Sequence, residues 1–175
     1  MSQRPVDELE AAVTFWAEIA LDVSYFGAQW HIFNVGHMLV TDLDRITRRH
    51  GISIADLHLL GALRMDRPQH PRATDLSLTL HVSNAVLSPR IAKLERKGLL
   101  IREPRGNDKR AAGLVLTPEG AAKAVAIVDE LGRDSSFVRY YKQLPDEDRI
   151  ALTRIMGELH NMLDRDFVAV SRGRL

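Results

Sequence analysis

The stretch from Ala73 to Gly120 limits the possible folds more than any other part of the chain, because the hydrophobic period changes along it. Thr74 reads as the N-cap of a short helix ending near Leu80. Ser83 reads as the cap of a second helix that runs to Lys97 and stops at Gly98. Val86, Leu87, Ile91 and Leu94 fall at helical spacing and give the second helix a core face. Leu99-Leu100-Ile101 and Leu114-Val115-Leu116 are short β-prone runs. A charged tip, Arg105-Gly106-Asn107-Asp108-Lys109-Arg110, joins them as a hairpin requires. Thr117 and Pro118 then pair a cap with a proline at the first helical position. Pro89 falls inside the second helix, where it removes a backbone bond at up to roughly 3 kcal/mol. A long helix with a local bend is the better reading, since a start at Ser88 leaves too few residues for a compact turn.

Charge gathers on the same stretch. Between Asn84 and Arg110 lie eight basic and three acidic residues, +5 locally, against +1 for the whole chain, so the remainder sums to −4. A cationic helix beside a cationic hairpin is the footprint of a face that binds a polyanion, and the pair can grip duplex DNA in two grooves. The same charge pattern alone also describes a solvated, salt-bridged helix. No cysteine is present, which excludes disulfides, cysteine-ligated zinc and a thiol redox switch. No apolar run approaches the roughly 18 residues of a membrane span. The first residues lack a basic region followed by an apolar core, so a cytoplasmic location with no membrane partner is expected.

The flanks read as helices. Val6 to about Phe26 keeps an apolar face through Leu9, Val13, Trp16, Ala20 and Val23, with Gly27 as a possible break. Gln29 to Arg49 follows, ended by Gly51. Ser53 caps a helix from Ile54 to Met65, and Asp66 to Pro71 is loop. After Pro118 a helix spans Glu119 to about Tyr141, Leu144-Pro145-Asp146 resets the chain, and a last helix carries Ile150 through Leu163. The expected organisation is 1–50 and 121–175 as two parts of a helical platform, around a DNA-binding lobe at 51–120.

Three motifs point one way. They are Ser88-Pro89-Arg90-Ile91-Ala92-Lys93-Leu94-Glu95-Arg96-Lys97-Gly98-Leu99, then Asp108-Lys109-Arg110, then Leu116-Thr117-Pro118-Glu119-Gly120. Together they resemble the MarR family of winged helix-turn-helix regulators. The resemblance covers about Gln29 to Leu163, and Pro89 departs from the family's usual pattern. It implies a mainly α fold with a small β-hairpin wing: a winged helix-turn-helix lobe plus a helical dimerisation platform. It also implies a homodimer straddling a pseudo-palindromic, double-stranded DNA operator, commonly as a repressor that a small anionic aromatic effector, a phenolic or benzoic acid, releases. No cofactor is implied.

For DNA, Ser83, Asn84, Ser88, Arg90 and Lys93 are the reading-helix candidates, since Asn pairs with adenine and Arg with guanine in the major groove. Ser83 also reads as a plain cap, and Arg90 as a residue facing inward to a ligand site. Arg72, Thr74 and Ser77 are candidate phosphate contacts. Arg105, Lys109 and Arg110 compete to enter the minor groove, with Asp108 placed to accept the Arg110 guanidinium and shape the wing. For the effector, His31, His37, His58 and Arg90 supply donors or cations. Trp16, Trp30 and Phe33 supply flat apolar walls. Each of these aromatics and histidines also has an ordinary reading, as core or as a satisfied imidazole. Family members that sense urate use a tryptophan on an added first helix, an acid on the third helix, and arginines near the reading helix and wing. Trp16, Arg90 and Arg110 are the counterparts here, while His58 stands at the acid's expected place.

An enzyme is the reading from another class. The chain shows no Gly-x-Ser-x-Gly, no phosphate-binding glycine loop and no His-Glu-x-x-His, and His31 and His37 lie on different sides of a helix, so neither catalysis nor a metal is expected. The other alternative is a winged-helix module that binds DNA or protein without a small-molecule effector.

Overall fold

The computed structural model describes residues 8–18, 24–65, 70–105 and 108–172. In chain order these form α1 (Glu8–Glu18), α2 (Phe26–Arg49), α3 (Ile54–Met65), α4 (Ala73–Thr79), α5 (Asn84–Arg96), β1 (Leu100–Arg105), β2 (Asp108–Leu116), α6 (Pro118–Asp134), α7 (Ser136–Tyr141) and α8 (Asp146–Arg172). The expected class is observed: mainly helical, with an antiparallel β1–β2 hairpin.

The chain divides into two compact units, 1–42 and 43–175. In the first, apolar side chains lie in the open: Phe33 is 74% exposed, and Trp16 and Met38 are also exposed. The Phe15 and Trp16 rings meet edge-on at 5.1 Å, and Asn34 Nδ2 donates to the Trp30 carbonyl at 2.9 Å. The second helix begins at Phe26 rather than Gln29. The Gln29 N–H closes its first turn on the Tyr25 carbonyl at 3.0 Å, so Gly27 is absorbed into the helix instead of breaking it. Ala20 and Val23, expected on the first helix, lie outside the described residues.

The second unit holds the core. α3 contributes Leu59, Leu60 and Leu63, α4 contributes Leu76, and α5 contributes Leu87, Ile91 and Leu94. These meet Leu99, Leu100 and Leu114 of the hairpin and Ile127 of α6. Each such side chain contributes about 1.5–3 kcal/mol when fully withdrawn from water. The glycines read as helix stops do that work: Gly51 (φ 74°) and Gly98 (φ 68°) adopt left-handed backbone that a side chain would disfavour.

Two expectations need correction. Arg72, not Thr74, is the N-cap of α4, because the Asp75 carboxylate accepts the Arg72 backbone N–H at 2.9 Å and fixes the start of the helix there. Thr74 lies within the first turn. The helix expected from Glu119 to Tyr141 is two helices. Ser135 takes extended backbone (φ −70°, ψ 128°), and its hydroxyl accepts the Val138 N–H at 3.3 Å, ending α6 and capping α7.

The hairpin is longer than the two apolar runs. It is in register from Leu100–Leu116 to Pro104–Ala112, then shifts at Pro104/Arg105. Its base is braced on two sides. The Leu114 N–H donates to the Pro71 carbonyl at 3.0 Å, so the loop before α4 lies along β2. Gly113 permits that approach, since a Cβ there would stand 2.5 Å from the His70 carbonyl oxygen. Gly120 permits the other. A Cβ on it would stand 2.0 Å from the Leu99 carbonyl oxygen, which is the physical reason for glycine in Leu-Thr-x-x-Gly.

Candidate nucleic-acid interface

α5 is presented by its own caps and core contacts. Ser83 (φ −70°, ψ 155°) accepts the Val86 N–H at 3.4 Å, so it caps the helix as expected. Leu87, Ile91 and Leu94 are buried against the core, and this anchoring leaves Asn84, Ala85, Ser88 and Pro89 exposed on the outer face. Pro89 stands inside the helix as expected. Arg72 and Thr74 are exposed at the start of α4, where Ser77 spends its hydroxyl on the Thr74 carbonyl at 2.8 Å.

Lys93 and Arg90 have a partner that sequence reading missed. Asp56, 1% exposed, sits in the first turn of α3. Its carboxylate accepts the Lys93 ammonium at 2.6 Å and the Ser53 N–H at 2.9 Å, and the Arg90 Nε stands 3.9 Å away. The Ser53 hydroxyl reciprocates by accepting the Asp56 N–H at 3.2 Å. Burial pushes this carboxyl up. The Lys93 ammonium and the Ser53 N–H and hydroxyl outweigh burial and hold it below the usual carboxylate range. Lys93 is therefore turned toward α3 and ties the reading helix to the lobe, while 42% of its side chain remains exposed. The visible signal was the Ser53-x-x-Asp56 spacing of a capping box. Asp56 is thus an acid of α3, two positions before His58, that lies opposite Arg90.

Beside α5 runs the hairpin. Arg102 Nε meets Glu95 Oε2 at 3.3 Å, joining β1 to the end of the reading helix, and the Thr117 hydroxyl donates to the Gly98 carbonyl at 2.7 Å. The side chains of Arg105, Asp108, Lys109 and Arg110 lie outside the described residues; the backbone pairs Arg105 with Asp108 at the tip.

The residues expected to hold an effector divide between the units. Trp16, Trp30, His31, Phe33 and His37 belong to the first. His58 and Arg90 belong to the second and face different surroundings. Arg90 faces Asp56, and His58 lines an open cavity of about 610 Å³ between α3, α4 and α6. Leu57, Met65, Leu80, Val125 and Val128 give this cavity a nearly apolar wall, with Arg64 and Asp129 among its lining residues.

Among the described residues no helix is long and apolar enough to cross a membrane, and no cluster of three or more potential metal ligands occurs.

Comparison with known proteins agrees with this geometry. Residues 50–111 match the model of the MarR family. The transcriptional regulator PecS of Dickeya dadantii is 25% identical over 122 residues, 69% of this chain and 72% of its own length. Apo MarR from E. coli superposes with a TM-score of 0.63 at 23% identity, covering 76% of this chain and 95% of the other. MepR from S. aureus in complex with DNA gives 0.65 at 20% identity, covering 80% and 99%.

Proposed function

We propose that this chain, whose residues 50–111 match the MarR family model, is a transcription regulator of that family rather than an enzyme, and that it binds an operator as a homodimer and releases it on taking up a small aromatic acid. The observation that carries the DNA reading is the outward face of α5, with Asn84 and Ser88 exposed beside a hairpin rooted at its end. Asn84 and Ser88 meet base edges in the major groove, Arg72 and Thr74 meet phosphates, and Arg105, Lys109 and Arg110 serve the minor groove. The solved MepR complex, a fold relative, contains DNA. In this reading residues 1–50 and 121–175 form the platform and 51–120 the lobe.

Two further observations support the finer reading. α8 leaves Ile150 69% and Leu163 68% exposed, along with Ile155, Met162 and other apolar residues, a surface suited to a second copy. The cavity beside His58 is large enough for a ring and offers it an apolar wall. The effector acts on the operator only as far as it prefers a lobe arrangement that no longer matches successive grooves. A urate-type effector is the second reading. Asp56 opposite Arg90 favours it, because that pair supplies the third-helix acid and reading-helix arginine that the resemblance calls for.

The test is a thermal-shift screen of aromatic acids and urate, followed by gel shift on the DNA flanking its own gene. Compounds that stabilise the protein and release that DNA support the proposal. A protein that binds the DNA yet responds to none of them is an effector-free regulator. Arg110→Ala should weaken binding and lower its salt dependence by about one phosphate contact. Unchanged binding would remove the wing from the interface.

A further inference from the structure

The junction between the end of α2 and α6 carries a titratable contact that neither the DNA nor the effector reading uses. His50 Nε2 lies 2.5 Å from Glu130 Oε2, and both side chains are about four-fifths buried, at 23% and 20% exposure. Arg49 shares the same carboxylate at 3.0 Å and reaches Asp134 at 3.2 Å. From α6, the Lys123 ammonium reaches the His50 carbonyl at 3.5 Å; from the end of α5, Lys97 Nζ lies 3.7 Å from where a Cβ on Gly51 would stand. Arg45 touches the Asp134 carbonyl at 3.4 Å. An added proton on His50 is thus resisted by Arg45, Arg49, Lys97 and Lys123 and drawn by Glu130 and Asp134. Of these, Glu130 is in direct contact.

We propose that the His50–Glu130 contact is a proton-sensitive joint through which acidity tunes DNA binding. The proposal rests on the DNA-binding reading above. Imidazole is the side chain whose ordinary titration falls between about pH 5 and 8. Glu130 does not titrate in that interval, since His50 and then Arg49, bonded to its carboxylate, hold it below its usual range. A protonated donor makes a hydrogen bond to carboxylate about twice as strong as a neutral one. The change reaches the DNA face because Glu130 and Thr117 stand at two ends of one helix. Gly120, one turn into α6, packs on the Leu99 carbonyl, and Thr117 is bonded to Gly98 at the end of α5. Acid tightens the joint and steadies α6 under the wing root; alkali slackens it.

The test compares wild type with His50→Gln, which keeps a neutral donor near Glu130. Affinity for the DNA flanking its own gene is read by fluorescence anisotropy at pH 6 and pH 8, at constant ionic strength, together with melting temperature at both values. Wild type should bind on the order of fivefold tighter at pH 6, relative to the same ratio in the variant, and its melting temperature should fall more between pH 6 and 8. An identical pH ratio in the two proteins overturns the proposal. So does a melting difference that depends on His50 without any difference in binding, which leaves the DNA reading intact. Absence of DNA binding at both pH values overturns the DNA reading itself, and this proposal with it.

Discussion

Asp56→Asn isolates what a buried charge contributes to holding the reading helix. The carboxylate accepts the Lys93 ammonium at 2.6 Å and the Ser53 N–H at 2.9 Å through the same oxygen. An asparagine can place its one acceptor oxygen where both donors meet, but that oxygen carries no charge for the ammonium, and its NH₂ then faces the Arg90 Nε. The loss is about one charge-assisted hydrogen bond, roughly 1.5–3 kcal/mol. It falls short of the roughly 3–5 kcal/mol of a fully buried broken pair because Lys93, 42% exposed, can turn back to water. In a chain of this length the melting temperature should drop by about 4–8 °C for 2 kcal/mol. The pH dependence gives a second check. The folded carboxyl lies below its ordinary 3.8, so its stabilisation is complete well above 3.8 and disappears as pH falls through the folded value. The gap between wild type and variant should be full at pH 7 and close at low pH. Urea melts across pH 3 to 7 measure it, with DNA binding at pH 7 reporting the loosened α5. A variant within about 0.5 kcal/mol of wild type, or a gap that persists undiminished to the acid limit, would refute the clamp.

Close backbone contacts and exposed apolar side chains set three further outcomes. Gly120→Ala drives a methyl to within 2.0 Å of a backbone oxygen, so one side must move; a loss of about 3 kcal/mol is expected in thermal or urea melts, and wild-type stability would show that α6 can shift freely. Gly113→Ala meets the His70 backbone in the same way and should expose the Leu114 amide to hydrogen exchange as its bond to Pro71 is lost. Leu159→Glu with Leu163→Glu should turn the proposed homodimer into a monomer by sedimentation without unfolding the lobe, since both side chains are exposed on α8; wild type already monomeric would refute the dimer.

The lobe was legible in the sequence to the extent that local chemistry decides it. The caps at Ser53, Ser83 and Thr117 and the glycine stops at 51 and 98 are local events, and each was readable. So was Pro89 inside its helix, because Leu87, Ile91 and Leu94 secure the helix on both sides of the proline. What escaped depended on partners far along the chain. Asp56 took no role from the sequence, because its partner Lys93 lies 37 positions away. The His50–Glu130 contact spans 80 positions and has no spacing that would announce it. The break at Ser135 was missed for a different reason: serine's competing backbone bond leaves the hydrophobic rhythm on either side undisturbed.

Pro89 has a consequence for anyone who would cut the reading segment out of its surroundings. A helix of 13 residues is too short to persist in water on its own, and an interior proline deepens that deficit. Its shape is lent by the leucines and isoleucine pressed into the lobe. A synthetic copy of residues 84–96 would be a coil, so mimics of this surface must carry the scaffold with them.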